Sequence, residues 1–428
     1  MSSSVSSHVS SSAASALPLP PAPPAPFVPA PRIAGGSAEF TRSNRAMFFG
    51  GFSCFALLYC VQPLMPLLSH EFALSAAQSS MALSVSTGAL ALSLVASSAV
   101  SERLGRKPLM VAAMAIAALM TILCAFAHTY PQLLAMRALL GMALGGMPAI
   151  AMAYLGEEIE PGSLGLSMGL YISGSAFGGM AGRVITSVLS DHFTWRLAVG
   201  AVGVAGVAAA CEFWRSLPPS RHFVPAGGGL RAMAVGFKTH LSDPGLPWMF
   251  ALAFLLMGAF VSLYNYIGYR LLGAPFGLNH SLVGAVSFLY LLGIYSSVWA
   301  GRLADRFGRR HVLWAVMTIM LAGLVLTLSN WLPLILLGVA LFTYGFFATH
   351  SVASSWVGRR ALTNKALASA LYLFFYYLGS SVIGSATGVM WGRNGWPGVV
   401  MVLGVALSLA MLVALRLRRL APLGQAEK

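Results

Sequence analysis

Charge is what this chain has least of. Only 9% of its 428 residues are Asp, Glu, Lys or Arg. Acids number just 11, and each lies in a tail, a loop or the end of an apolar run. Cysteine is also sparse: Cys54, Cys60, Cys124 and Cys211 all fall inside apolar runs, without metal-ligand spacing. They read as small packing residues. No Gly-x-x-x-x-Gly-Lys-Ser/Thr phosphate loop occurs, so nothing here signals an ATPase. His-Glu-x-x-His is absent and no Ser/His/Asp constellation stands out. The chain is therefore not expected to be an enzyme, and neither a cofactor nor a metal is expected.

What is present is apolar. The sequence is 57% hydrophobic, with a mean hydropathy of +0.78, far above that of a soluble domain. A membrane span needs ~20 apolar residues, because each helical residue rises ~1.5 Å across a ~30 Å core. Such runs occupy 47–69, 79–100, 108–127, 131–154, 164–187 and 196–214. After a polar stretch they resume at 247–270, 281–300, 311–329, 332–354, 366–389 and 397–415. The expected fold is an all-α integral membrane protein of twelve transmembrane helices in two pseudo-symmetric six-helix bundles, 46–214 and 247–415. Residues 1–45, rich in Ser, Ala and Pro, read as a disordered cytoplasmic tail without the compact apolar run of a signal peptide. The linker 215–246 has a Pro/Gly part, then Leu230, Met233, Phe237 and Leu241 at helical spacing, which predicts an amphipathic helix on the inner surface. Residues 416–428 form a basic cytoplasmic tail.

The charges that do occur are concentrated. Gly301-Arg302-Leu303-Ala304-Asp305-Arg306-Phe307-Gly308-Arg309-Arg310 joins two apolar runs. Each such charge at the bilayer centre would cost roughly 2.5–3.5 kcal/mol on insertion scales, so the segment must turn at a membrane surface. Gly308 permits the turn where a side chain would clash. The device recurs at 98–107: Glu102, Arg103, Gly105 and Arg106 stand where Asp305, Arg306, Gly308 and Arg309 stand, with Lys107 beside them. Tyr171, Gly174, Ser175, Gly179 and Ala181 likewise align with Tyr376, Gly379, Ser380, Gly384 and Ala386. Two six-span repeats around a cavity suit a transporter whose halves rock.

Orientation follows from the basic residues. With the N-terminus inside, nearly all of the 26 Lys and Arg lie in inner segments; the outer loops hold Arg196, Arg270 and Arg393. This is the positive-inside pattern, and it accounts for the net charge of +15 without nucleic acid. Both termini are expected in the cytoplasm, in a multi-pass protein of the cytoplasmic membrane. The expected partners are a small-molecule solute and membrane lipid, and the chain is expected to be a monomer.

The pattern Gly-x-Leu-Ala-Asp-Arg-x-Gly-Arg-Arg between the second and third spans of a six-span half resembles the major facilitator superfamily, over residues 47–415. The first copy departs from it with Ser98 for glycine and Glu102 for aspartate. Arg137 with Gly141, Gly145 and Gly146 resembles the arginine motif of proton-coupled members. Gly174, Gly178, Gly179 and Gly182 resemble the glycine motif of exporters, with Gly179 in the usual proline position. Gln62-Pro63 and the tyrosines of the eleventh span look like the twelve-span drug and sugar efflux permeases of the drug:proton antiporter type. The resemblance implies alternating-access efflux driven by a transmembrane ion gradient, that of protons. A passive or import-direction facilitator of the same fold and a non-transporting membrane sensor remain the alternatives.

Seven residues are candidates for the coupling or substrate cavity. Arg137 and Arg183 lie well inside spans, where an arginine is costly and turns toward a cavity or partner. Tyr372 and Tyr376 share a helix face near mid-span; Gln62, Tyr264 and Asn265 can bind a solute or a neighbouring helix equally well. Gating falls to Glu102, Arg103, Gly105, Arg106, Lys107, Gly301, Asp305, Arg306, Gly308, Arg309 and Arg310. These turns are expected to pack against the neighbouring bundle and hold the outward-open state. Glu157, Glu158 and Glu160 offer Arg103, Arg106 and Lys107 an inner latch. With arginines and no carboxylate in mid-membrane, repulsion of a cationic solute is on the order of kcal/mol even at an effective dielectric of ~20. A neutral or anionic metabolite fits better, and Arg137 is the residue expected to meet it.

Overall fold

A computed structural model describes residues 31–223 and 230–420, without the side chains of 98, 99, 102, 103 and 230–233. From Arg32 onward the chain forms one compact unit. The first half comprises α1 (Ala38–Tyr59), a 3-10 turn (Gln62–Leu64), α2 (Met65–Glu71), α3 (Ala76–Leu104), α4 (Arg106–Cys124), α5 (Tyr130–Leu144), α6 (Pro148–Glu158), α7 (Pro161–His192) and α8 (Trp195–Ser216). The linker holds α9 (Leu230–Leu241). The second half comprises α10 (Leu246–Leu272), α11 (His280–Ala285), a 3-10 turn (Val286–Leu289), α12 (Tyr290–Phe307), α13 (Arg309–Leu326), α14 (Leu332–Arg360) and α15 (Lys365–Arg418).

Proline and glycine place the breaks. Pro63 has no N–H to donate, and the first span gives way to the 3-10 turn between α1 and α2. Pro148 starts α6, dividing the fourth span after Gly145 and Gly146. Straight, the 54 residues of α15 would run roughly 80 Å, far beyond a bilayer core. Gly395, at φ 57°, and Pro397 divide them into two spans. Ten helical segments are long and apolar enough to cross a membrane. The division of α15 and the glycine- and serine-rich α7 complete the twelve.

Those glycines let helices approach backbone to backbone. A methyl group at Gly174 or Gly178 on α7 would fall on the carbonyl oxygen of Phe48 or Phe52 on α1. In the second half, one at Gly379 on α15 would fall on the Phe254 carbonyl of α10. The two halves are packed by the same device, as small residues allow in membranes.

One expected boundary moves. The tail does not extend to residue 45, because α1 starts at Ala38, with Ser37 capping Phe40 N–H at 3.0 Å. Its first turns are polar, which hydropathy alone cannot register. Arg45 pairs with Glu212 at 2.9 Å and Glu39 with Arg221 at 2.8 Å. Ahead of α1, Ile33 pairs with Ile159 in an isolated β-bridge. The expected disorder of the tail before residue 31 and the end of the basic tail lie outside the described residues. In the linker, Phe237 packs against the core, but Leu241 is exposed. Contacts of α9 run to the start of α15, with His240 Nε2 3.2 Å from the Asn364 carbonyl.

Candidate functional site: the seam between the two halves

In the orientation expected from the lysine and arginine bias, the end bearing Asp191 and His280 is the outer one, and the two ends are named accordingly. There the halves are sewn together. Asp191, at the end of α7, accepts from the N–H groups of His280 and Ser281 at 3.2 and 3.3 Å and from the Ser281 hydroxyl at 2.7 Å. The Tyr269 hydroxyl lies 2.7 Å from Ser69 Oγ and 2.5 Å from Ser79 Oγ. Nearer the middle, Gln62 Nε2 donates to Asn265 Oδ1 at 2.6 Å and to the Val261 carbonyl at 3.3 Å. The innermost of these cross-half bonds runs from Ser380 to Thr87 at 3.4 Å. At the inner end no described ion pair joins the two halves: Arg106–Glu157 and Arg45–Glu212 lie in the first, Asp305–Arg309 and Asp305–Arg359 in the second, and Glu39–Arg221, Glu158–His222 and Arg360–Asp243 tie one half to the linker.

Four of the seven cavity candidates converge on the seam. Gln62, Arg183, Tyr264 and Asn265 line one small cavity of about 20 Å³, room for about one water molecule. Arg183, 3% exposed, donates from Nε to Gln62 Oε1 and from Nη1 to the Gly179 carbonyl, both at 2.5 Å. A Cβ at Gly179 would lie 3.3 Å from that Nη1, so the glycine leaves room for the guanidinium. Tyrosine rings surround the cation: its carbon lies 4.2 Å from the centroid of Tyr59, 4.9 Å from that of Tyr290 and 5.8 Å from that of Tyr264. Such packing offsets part of the cost of burying it.

Tyr59 and Tyr290 were not among the candidates. Both sit near the middle of a predicted span, so the signal that singled out Tyr376 was present for them as well. Tyr372 and Tyr376 belong to a separate cluster with His350, whose Nδ1 is 3.0 Å from the Tyr372 hydroxyl and whose ring is 4.8 Å from that of Tyr376.

Arg137 is not at the cavity. Its three nitrogens donate to the carbonyls of Ala82, Leu57 and Leu58 at 2.9, 3.0 and 2.5 Å, and the residue is 1% exposed. Leu57 and Leu58 lie in the last turn of α1, where the break leaves carbonyls without helical partners. Arg137 thus ties α5 to α1 and α3. Gly141 and Gly145 on α5 permit this, since a methyl at either would strike the backbone of α3.

The charged turns are built as the repeat implies, but none of their described side chains bonds across to the other half. Gly105 and Gly308 take φ of 86° and 85°, a region that favours glycine. Asp305 is 60% exposed on its side chain and pairs with Arg309 at 2.8 Å and Arg359 at 3.3 Å, all in its own half. Arg306 lies over the Phe307 ring; Arg310 is half-buried, as is Gly301, and neither faces the first half in any described bond. Arg106 grips Glu157 at 2.7 Å, and Lys107 donates to the Leu217 carbonyl. Glu158 instead binds the start of the linker, accepting from the N–H groups of Arg221 and His222 at 2.6 and 2.9 Å. Of the expected latch, the described side chains form the Arg106–Glu157 pair alone, and it lies within the first half. The side chains of Glu102 and Arg103 lie outside the described residues.

Comparison with known proteins agrees with this architecture. A sequence model of the Major Facilitator Superfamily matches residues 47–270 and 267–428. The chain is 47% identical to the inner membrane transport protein YnfM of Escherichia coli over 384 residues, covering 90% of this chain and 92% of YnfM. It is also 47% identical to the uncharacterized MFS-type transporter YybF of Bacillus subtilis over 365 residues, 85% of this chain and 90% of YybF. The crystal structure of a D-xylose–proton symporter superposes with a TM-score of 0.72 at 14% identity, covering 88% of this chain and 97% of that one.

Proposed function

The chain belongs to the major facilitator superfamily, and on that premise we propose that it moves a small solute across the cytoplasmic membrane by alternating access, exporting it at the expense of the proton gradient. The observation that carries this reading is the asymmetry of the seam. Cross-half hydrogen bonds hold the outer end shut through Asp191, Tyr269, Gln62 and Asn265, while no described inner ion pair joins the two halves. Breaking the first set as the halves close at the other end gives the opposite state. Rocking of two bundles about a site near the midplane requires two such states. In this mechanism both termini stay in the cytoplasm and the charged turns meet the opposite half only in the outward-open state. The test is flux in proteoliposomes over a solute panel, with and without a protonophore. Accumulation that collapses with the protonophore supports proton coupling; equal accumulation removes it, and no flux of any solute removes the transporter reading.

A further inference from the structure

The cavity around Arg183 is built entirely of groups that give hydrogen bonds. Arg183 has donors and no acceptor, so it sets the direction of everything bonded to it. It fixes Gln62 with its carbonyl oxygen toward Nε. Gln62 must then present its amide nitrogen to Asn265 Oδ1. Asn265 is left with Nδ2, and this nitrogen has no partner. The network thus assigns both amides and ends in a free donor. Three more buried polar atoms nearby have no partner: the hydroxyls of Tyr59 and Tyr290, whose rings flank the guanidinium, and Ser187 Oγ, one turn beyond Arg183 and packed on Gly284 of the cavity wall. Arg183 spends Nε and Nη1 on Gln62 and Gly179, and beyond these its guanidinium has only the Tyr290 hydroxyl within reach. All five residues are at most 5% exposed. Leaving buried donors unmatched is costly, and native proteins do so rarely.

The charge is unmatched as well. Among the described residues no carboxylate pairs with Arg183. Arg137 shows what a purely structural arginine looks like in the same half: every nitrogen is spent on a backbone carbonyl. Arg183 differs in keeping a nitrogen, a charge and a ring of idle donors at the seam. Apart from Ser287, the rest of the wall is apolar, with Pro63, Pro66, Ile267, Val283 and Val286.

From this we infer that the seam binds the carboxylate of a small organic acid, a monoanion with an apolar body. The closed cavity holds about one water, so the acid enters only as the seam widens; two carboxylate oxygens then accept from Arg183, Asn265 and the tyrosine hydroxyls, while the body lies against the prolines and branched side chains. An acceptor-only anion satisfies the Arg183 charge and the free Asn265 Nδ2, with the hydroxyls turned to donate; an amide or an alcohol leaves the charge unpaired, and a cation is repelled. The inference deepens the transporter reading by naming its substrate class and rests on that reading only for the sense in which the bound acid is cargo.

The test is binding by the purified full-length protein in detergent, measured by titration calorimetry with benzoate and butyrate, against benzamide and benzyltrimethylammonium. Benzoate should bind at least about tenfold more tightly than benzamide, the scale of one charged hydrogen bond. Arg183→Gln should weaken benzoate by about tenfold or more and leave benzamide unchanged. Because Arg183→Gln can disturb the seam, Tyr59→Phe and Tyr290→Phe provide the second test. Tyr59→Phe removes only an idle hydroxyl, so its melting temperature should hold or rise, and benzoate affinity should fall severalfold in both variants. Equal binding of benzoate and benzamide, no binding of either acid, or benzoate affinity unchanged in all three variants overturns the site. Counterflow separates the two readings. A protein that binds benzoate but moves no solute keeps the site and loses the transport proposal; one that moves neutral sugars but binds no carboxylate does the reverse.

Discussion

Gln62 and Asn265 are each other's counterparts in the two halves, and they meet, with Nε2 2.6 Å from Oδ1. The register that superposes Glu102 on Asp305 superposes Gln62 on Asn265. A contact between equivalent positions marks the pseudo-twofold axis between the halves, as self-complementary contacts do in symmetric dimers. The amide pair therefore lies where any rocking of one half against the other must be felt.

Asn265→Leu should loosen the outer seam while leaving Gln62 its bond to the Val261 carbonyl. Interhelical bonds in membranes are worth about 1 kcal/mol, so the closed-to-open ratio should fall roughly fivefold. Thiol labelling of Ser187→Cys reports this, in a Cys211→Ser background because Cys211 is the exposed cysteine. Unchanged labelling would remove the amide pair from the gate.

Arg137→Gln should act on stability rather than selectivity. Three buried carbonyls lose a charged donor, a cost on the order of 3 kcal/mol. Thermal melting in detergent should drop, and whatever flux survives should fall alike for neutral and anionic solutes. A selective loss of anions would restore Arg137 to the cavity, where the sequence reading put it.

Gly178→Ala should destabilise the first half by about 1–3 kcal/mol, since the Phe52 carbonyl it would meet is backbone and cannot move aside. Gly404→Ala is the control. Nothing lies within 4 Å of a methyl there, so that variant should melt no lower than the parent. Equal melting of both variants would mean that α1 and α7 are not held at the distance seen.

Acid should open the outer seam only well below neutrality. The Ser281 hydroxyl, foremost, with the N–H groups of Ser281 and His280, outweighs partial desolvation and holds the Asp191 carboxyl below its usual range. A depressed pKa contributes to the closed seam above the ordinary aspartate value of ~3.9, and that contribution is lost as pH falls through the lowered pKa. Distances between spin labels across the outer mouth should stay constant from pH 8 to about pH 5 and lengthen in stronger acid. In Asp191→Asn the acid-dependent part should vanish; its persistence would place the titrating group elsewhere.

Asp305→Asn should leave melting within about 1 kcal/mol, because the pairs with Arg309 and Arg359 are largely exposed. Its effect is expected on the conformational equilibrium, with more labelling at the inner mouth and less transport. Labelling identical to the parent would end the gating role of the second charged turn.

Much of this architecture was legible in the sequence, for a physical reason. A bilayer core rejects charge and unpaired backbone, so apolar runs, prolines and the two charged turns mark spans and surfaces almost without reference to neighbours. The polar start of α1, nine residues before the apolar run begins at Met47, shows the limit: a cap and ion pairs, not hydropathy, hold it. The cavity was half legible. Gln62, Arg183, Tyr264 and Asn265 stood out because polar side chains inside spans are costly, and the same cost marked Arg137 with equal force. Only the tertiary structure separated the two arginines. What an arginine does depends on which acceptors surround it, and those come from distant parts of the chain: carbonyls freed at the end of α1 for Arg137, and for Arg183 a donor network closed by Asn265 and Tyr290 from the other half.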